Sequence, residues 1–128
     1  MIIACATDDG THFMDRHFGD ALYYDLYELS AGGFHFLERI DNTTEEEEGH
    51  ADPKKARGIV NLLKERGVEA GLTKVFGPNI KRIKKQILPI LISEEVIEAG
   101  LEKVMKNYDT AIGQLLLCED REHLDLRR

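Results

Sequence analysis

The feature that most constrains this chain is the alternation of three short apolar runs with amphipathic, helix-like segments. The runs cover residues 2–7, 68–76 and 87–92, and glycine, proline or charged residues bound them. Short apolar runs are typical of buried strands, and strands separated by helices pair in parallel through crossover connections. The pattern therefore predicts an α/β fold with a parallel centre to its sheet.

An aromatic hairpin adds to this sheet. Residues 23–29 and 34–40 are rich in aromatic and branched side chains, and Gly32 and Gly33 separate them, which is typical of an antiparallel hairpin. We therefore expect a mixed sheet of five strands, three parallel and two in the hairpin, flanked by helices in the ribonuclease H-like arrangement.

Apolar stripes and helix-start signals place the helices. We expect helices over residues 53–66, 77–86 and 93–107. Asp52 is the expected capping acid of the first helix, the turn at Gly77 opens the second, and Ser93 caps the third. Residues 1–107 then form one domain, and residues 108–128 are a C-terminal tail to which the pattern assigns no role.

Cellular location follows from the apolar runs. The longest, residues 87–92, is far shorter than the roughly 20 residues that cross a bilayer, and the N-terminus lacks the pattern of a secretion signal. We expect a cytoplasmic protein that does not enter a membrane and that is a monomer or a weak homodimer.

Charge is unevenly distributed along the chain. Its net charge is −7, but residues 1–52 carry −11 and residues 53–128 carry +4. An acidic surface argues against binding nucleic acid, whereas the bases near Lys81 favour a local anion site. Two cysteines cannot supply the four thiolates of an iron–sulfur cluster, so a bound cluster needs other ligands.

Three segments converge at the carboxyl ends of the predicted parallel strands, where ligands bind in open α/β sheets. They are the loop containing His17, the turn from Gly77 to Asn79, and the acidic connection containing His50. Gly77 permits close approach of the backbone, Pro78 suits a first helical turn, and the N–H groups at a helix start attract anions. Lys81 adds positive charge.

The chain resembles the dinitrogenase iron-molybdenum cofactor-binding family, which includes small carrier proteins for the nitrogenase cofactor. The resemblance covers residues 1–106 and depends on four segments, residues 3–8, 17–21, 58–69 and 77–79. It implies a ribonuclease H-like domain that carries a molybdenum- or iron-containing sulfide cluster, or its precursor, without catalysing a reaction. It also implies cofactor-assembly or acceptor proteins as partners.

The family's functional positions fall on six residues of this chain: His17, Phe18, Gly19, Gly77, Pro78 and Asn79. We expect these residues and Lys81 to contact the cofactor, His17 to ligate a metal, and His50 to be a second ligand if its loop folds over the cargo. Cys5 lies within a predicted buried strand and is better interpreted as an inert core cysteine. The chain departs from many relatives at Lys74 and at residues 45–50.

Two other functions remain open. The first is a regulatory or interaction domain that kept the fold and lost the ligand. The differences from many relatives at Lys74 and residues 45–50, near the expected pocket, suggest it. The other is a metal-dependent nuclease, which needs several carboxylates around two divalent ions. Asp8 ends the first strand, but the run that ends at Phe76 supplies no second acid. The carrier function is the better prediction.

Overall fold

A six-stranded mixed sheet organises the protein, for which a computed structural model describes residues 1–42 and 53–128. The strands are β1 (Ile2–Thr7), β2 (Tyr23–Ser30), β3 (Gly33–Asp41), β4 (Ala70–Thr73), β5 (Leu88–Leu91) and β6 (Leu124–Asp125). The helices are α1 (Pro53–Lys64), α2 (Ile80–Ile83), α3 (Ile97–Lys106) and α4 (Tyr108–Leu115).

The strand order β3-β2-β1-β4-β5-β6 confirms the central prediction. β1, β4 and β5 pair in parallel, and β2 pairs antiparallel with both β1 and β3. The short apolar runs are therefore adjacent parallel strands, and the aromatic hairpin extends one side of the sheet. The class, a mixed α/β fold, is as expected.

The prediction of five strands was wrong, because the C-terminal segment adds a sixth. β6 pairs in parallel with β5 through Leu124 with Ile90 and Asp125 with Leu91. A strand of two residues is too short to show an alternating pattern in the sequence. The segment also packs on the sheet, since Ala111 and Leu126 are buried in the core.

The helix expected over residues 77–86 is much shorter, since α2 has four residues. Only Ile80 and Ile83 of this stretch pack into the core, so a single turn suffices to bury them. Ser93 does not cap α3, which begins at Ile97 after an extended Val96. The preceding backbone is engaged elsewhere, since the Glu95 carbonyl accepts a hydrogen bond from the Phe13 N–H.

Apolar side chains fill both faces of the sheet. One face packs against α1 and α2 and includes Phe18, Tyr24 and Leu63. The opposite face packs against α3 and α4 and includes Cys5 and Phe13. The parallel strands are therefore buried on both sides, as continuous apolar runs require. In the described part of the chain, no helix has the length and apolar character needed to cross a membrane.

Candidate functional site

Two loops meet over the carboxyl ends of the parallel strands, which end at Thr7, Thr73 and Leu91. The first loop follows β1 and is folded by Thr7, whose hydroxyl donates to the His12 carbonyl at 2.7 Å and accepts from the Gly10 N–H. The second loop follows β4 and leads into α2. The loops are joined by a hydrogen bond from the Phe18 N–H to the Val75 carbonyl at 2.8 Å.

The structure brings His17 and Gly77 into direct contact. A Cβ atom placed on Gly77 would lie 2.7 Å from both Cε1 and Nδ1 of His17, so the imidazole packs directly on the glycine backbone. Gly77 has a φ of +77°, in the region that favours glycine. The two motifs singled out in the sequence are therefore neighbours, and the half-buried imidazole of His17 lies at their junction.

Phe18 and Gly19, which follow His17, are buried and hold this loop in place. The Phe18 ring stacks on Phe76 with centroids 4.8 Å apart and contacts Tyr24 at 5.1 Å. The Gly19 carbonyl accepts a hydrogen bond from the Asn42 amide at 2.8 Å. In this structure both residues position His17 and do not face solvent.

The turn after β4 differs from the helix start expected there. Pro78 is exposed and Asn79 is buried, and the Asn79 carbonyl accepts hydrogen bonds from the N–H groups of Arg82 and Ile83. Because α2 has only one turn, the anion attraction expected from a longer helix is weak. Positive charge here comes instead from exposed side chains. These are Lys81, Arg82 and Lys85.

Lys74 joins three segments at the same end of the sheet. Its ammonium lies 2.5 Å from Asp15 and 2.8 Å from Glu95, and its side chain is only 11% exposed. The hydrogen bonds that Lys74 donates to these carboxylates raise its pKa above its ordinary value. The two carboxylates therefore neutralise the Lys74 charge, and the ion pair with Asp15 holds the loop after β1 and the loop after β4 together. Lys74 is a position at which the sequence departs from many relatives of the family it resembles, but the sequence did not indicate its partners, because they are distant along the chain.

Asp8 has a structural part at the end of β1. Its carboxylate pairs with the Arg16 guanidinium at 2.8 Å and accepts the Leu22 N–H at 3.0 Å, and these bonds lower the pKa of Asp8. β4 ends at Thr73 and is followed by Lys74, so no carboxylate faces Asp8 from that strand. Among residues 1–42 and 53–128, no group of three His, Cys, Asp or Glu residues could hold a metal ion. This arrangement offers no support for a two-metal nuclease site.

His12 and Cys5 have structural surroundings, and His35 is exposed. His12 is fixed by Asp9, with Nδ1 2.8 Å from the carboxylate, and His35 is exposed beside Glu28. Cys5 is fully buried, and burial raises the pKa of its thiol well above the ordinary value, as an inert core cysteine requires. His50, the expected second metal ligand, lies outside the described residues.

The hydroxyl of Thr73 is a polar atom that sequence reasoning missed. It is buried and has no hydrogen-bond partner in the described part of the chain. Thr73 lies two residues after Gly71, whose backbone packs against the Phe18 ring, so both residues face the same side of β4. Among the described residues, the end of β4 thus has a hydrogen-bonding group without a partner on the face where the His17 loop packs.

One comparison with known proteins bears on this site. A family model described as dinitrogenase iron-molybdenum cofactor matches residues 1–107, which include both loops and α2. No curated protein matches the chain.

Proposed function

Because the chain belongs to the dinitrogenase iron-molybdenum cofactor family, we propose that it binds and carries an anionic metal–sulfur cofactor. The cargo is an iron–molybdenum cluster, a related molybdenum, iron or copper sulfide cluster, or a precursor of one. The observation that carries this proposal is the packing of the His17 imidazole on Gly77, at the junction of the two loops.

Ligand chemistry supports His17 as the metal-binding residue. A neutral imidazole is a suitable ligand for iron, and His17 is half-buried at the carboxyl edge of the sheet, where ligands of open α/β sheets bind. Contact with Gly77 restricts the orientation of the ring. A ring held in one orientation loses less side-chain entropy when it binds metal than a mobile surface histidine does.

Charge supports an anionic cargo on the α2 side of this edge. Lys81 and Lys85 are exposed, and neither forms a salt bridge with another residue of the described ranges. The opposite side of the edge carries net negative charge, because the exposed carboxylates of Asp9, Asp15 and Glu95 outnumber Lys74, which pairs with the last two. An anionic cluster is therefore attracted toward α2 and repelled from the His12 side.

Reversible carriage explains the small number of ligands. A carrier has to release its cargo, and one imidazole with neighbouring ammonium groups binds more weakly than a set of thiolates does. Cys5 is buried beneath this edge with a raised pKa, so it does not supply a thiolate in the folded protein. We propose binding and transfer without catalysis.

The proposal extends to the parts of the chain around the site. Residues 1–107 are the cofactor-binding domain, in a ribonuclease H-like arrangement, and residues 108–128 are an addition to it. His50 ligates metal when its loop covers the cargo, and Phe18, Gly19, Pro78 and Asn79 shape the site. We place the protein in the cytoplasm, where cofactor-assembly and acceptor proteins are its partners.

Anaerobic gel filtration tests the proposal. The apo-protein is incubated with a synthetic molybdenum–iron–sulfur cluster or a thiomolybdate–copper cluster, and molybdenum, iron, copper and sulfide are measured in the protein peak. We expect cluster metal to co-elute with the wild type. We expect the His17→Ala variant to retain at least about tenfold less, because it lacks the ligand.

His123→Ala is the matched control, since His123 is an exposed histidine outside residues 1–107 and its loss leaves the proposed site intact. It should retain cluster as the wild type does. Absence of metal from the wild-type peak with every cluster would contradict the proposed function. Equal retention by the His17 and His123 variants would contradict the role of His17.

A further inference from the structure

The outer strand of the hairpin, β3, exposes apolar side chains at its centre. Phe36 is 51% exposed and Leu37 is 41% exposed, although both lie in a strand of nine residues. β3 is the last strand on its side of the sheet, so within the described chain its outer backbone groups have no strand partner. An exposed edge strand with apolar side chains at its centre can pair with another chain, and the charged residues and bulge of β3 restrict this pairing to a partner that matches them.

A β-bulge at Leu37 changes which residues of β3 share a face. Phe36 pairs with Tyr27 and Glu38 pairs with the adjacent Leu26, so Leu37 is an extra residue in the ladder. His35 and Glu38 pair with Glu28 and Leu26, which are two residues apart on β2 and lie on one face. His35 and Glu38 therefore lie on one face, which an unbulged strand would not allow.

The same bulge puts Phe34 and Arg39 together on the opposite face. Phe34 pairs with Leu29 and Arg39 pairs with Asp25, and these two residues of β2 are four apart. Two registers let two copies of β3 pair antiparallel with matching faces on both sides of the bulge, one with Leu37 opposite Glu38 and one with Phe36 opposite Leu37. We choose the second, because it sets the exposed apolar side chains against each other and not against charged ones. In that register Phe36 of each copy lies opposite Leu37 of the other.

We propose that β3 is the contact surface between two copies of this chain, paired antiparallel about a twofold axis between Phe36 and Leu37. In this dimer His35 of each copy lies opposite Glu38 of the other, and Phe34 lies opposite Arg39. The surface is thus complementary to itself, as a twofold contact requires. It covers the two apolar side chains and joins the two sheets into one.

Charge and aromatic contacts support this partner over another kind of chain. On each side of the axis the His35 imidazole faces Glu38 of the second copy. Within its own chain Glu38 also pairs with Arg66, and His35 lies 3.6 Å from Glu28. Phe34 and Phe36 already contact the Tyr27 ring edge-on, at 6.2 and 5.5 Å. Arg39, held by Asp25 at 2.7 Å, presents its aliphatic stem to Phe34 of the second copy.

Sedimentation velocity over a range of concentrations tests the dimer. We expect the wild type to move from the 14.5 kDa of one chain toward twice that mass between micromolar and several hundred micromolar protein. Leu37→Lys places a charge at the axis and should weaken association at least about tenfold. Leu22→Lys is the control, since Leu22 is 56% exposed but lies outside β3.

A charge exchange tests the register. The His35→Glu variant sets a glutamate opposite Glu38 of the second copy, so like charges should weaken association. The double variant with Glu38→Lys sets opposite charges there and should recover most of the wild-type association. Circular dichroism checks that each variant is folded. A wild type that stays at one chain mass throughout would overturn the proposal. Association that Leu37→Lys leaves unchanged, or that the paired exchange fails to restore, would overturn it as well.

Discussion

At the scale of single residues, Gly77 determines how the His17 ring is held. Sequence reasoning placed both residues at the carboxyl edge of the sheet, because loops after parallel strands converge there. It did not show that one packs on the other, since that contact depends on how the whole loop after β1 folds. The ion pairs of Lys74 were equally hidden, because Asp15 and Glu95 are far from it along the chain.

Gly77→Ala should displace the His17 ring and destabilise the protein. The new Cβ would lie 2.7 Å from the imidazole, and a φ of +77° is strained for alanine. We expect a loss of about 1–2 kcal/mol in the free energy of unfolding, measured by urea denaturation. Gly32→Ala, at a position with open space around it, is the control. Equal stability of the Gly77 variant and the wild type would contradict this contact.

Asp8 should contribute stability that depends on pH. Hydrogen bonds from Arg16 and Leu22 lower its pKa in the folded state, so its contribution is present above the ordinary carboxyl pKa of about 3.9. The contribution is lost as the pH falls through the folded pKa. Asp8→Asn should therefore be less stable than the wild type at neutral pH, and the difference should shrink in acid.

Urea denaturation from neutral pH to about pH 2 measures this difference. Arg16 is half exposed, so we expect less than about 1 kcal/mol at neutral pH. Asp109→Asn, at an exposed position of α4, is the control. A difference between Asp8→Asn and wild type that stays constant across this range would contradict the assigned bonds.

At the scale of elements, α3 packs so closely on the loop after β1 that it needs a glycine at the point of contact. Gly100 of α3 faces the buried Phe13 ring, and a Cβ there would lie 2.6 Å from it. The stripes of α1 and α3 were predictable because they repeat with helical period. The length of α2 and the start of α3 were not, because tertiary hydrogen bonds such as that between Phe13 and Glu95 decide them.

Two glycine substitutions in helices should have opposite effects. Gly100→Ala should destabilise the protein by about 1–3 kcal/mol, because the added methyl group overpacks against Phe13. Gly113→Ala in α4 meets open space and should stabilise by about 0.5–1 kcal/mol through helix propensity. Thermal unfolding of both variants measures the contrast. Stabilisation of similar size by both would show that Phe13 does not pack as described.

At the scale of the whole molecule, the C-terminal segment completes the fold. The sequence showed an apolar stretch after residue 107 but did not indicate where it packs, because a two-residue strand is too short to give a recognisable pattern. In the structure β6 extends the sheet beyond β5, and Leu126 is 8% exposed. The family model ends at residue 107, so this cover lies beyond the matched part.

Leu126→Ala should therefore cost stability although it lies close to the last residue of the sequence. We expect a loss of about 2–3 kcal/mol in the free energy of unfolding, since a buried leucine is truncated. Leu116→Ala is the control, because Leu116 is 77% exposed and its loss should change stability by less than about 0.5 kcal/mol. Equal effects of the two substitutions would show that the segment is not packed on the domain.

Imidazole NMR of the wild type shows whether the His17 imidazole binds the cargo. The apo-protein, with ¹⁵N in its five histidines, is titrated anaerobically with a diamagnetic thiomolybdate–copper cluster. We expect the ring signals of His17 to shift strongly, while those of His35 and His123 stay in place. A cluster that binds and leaves the His17 ring signals unmoved would contradict the account.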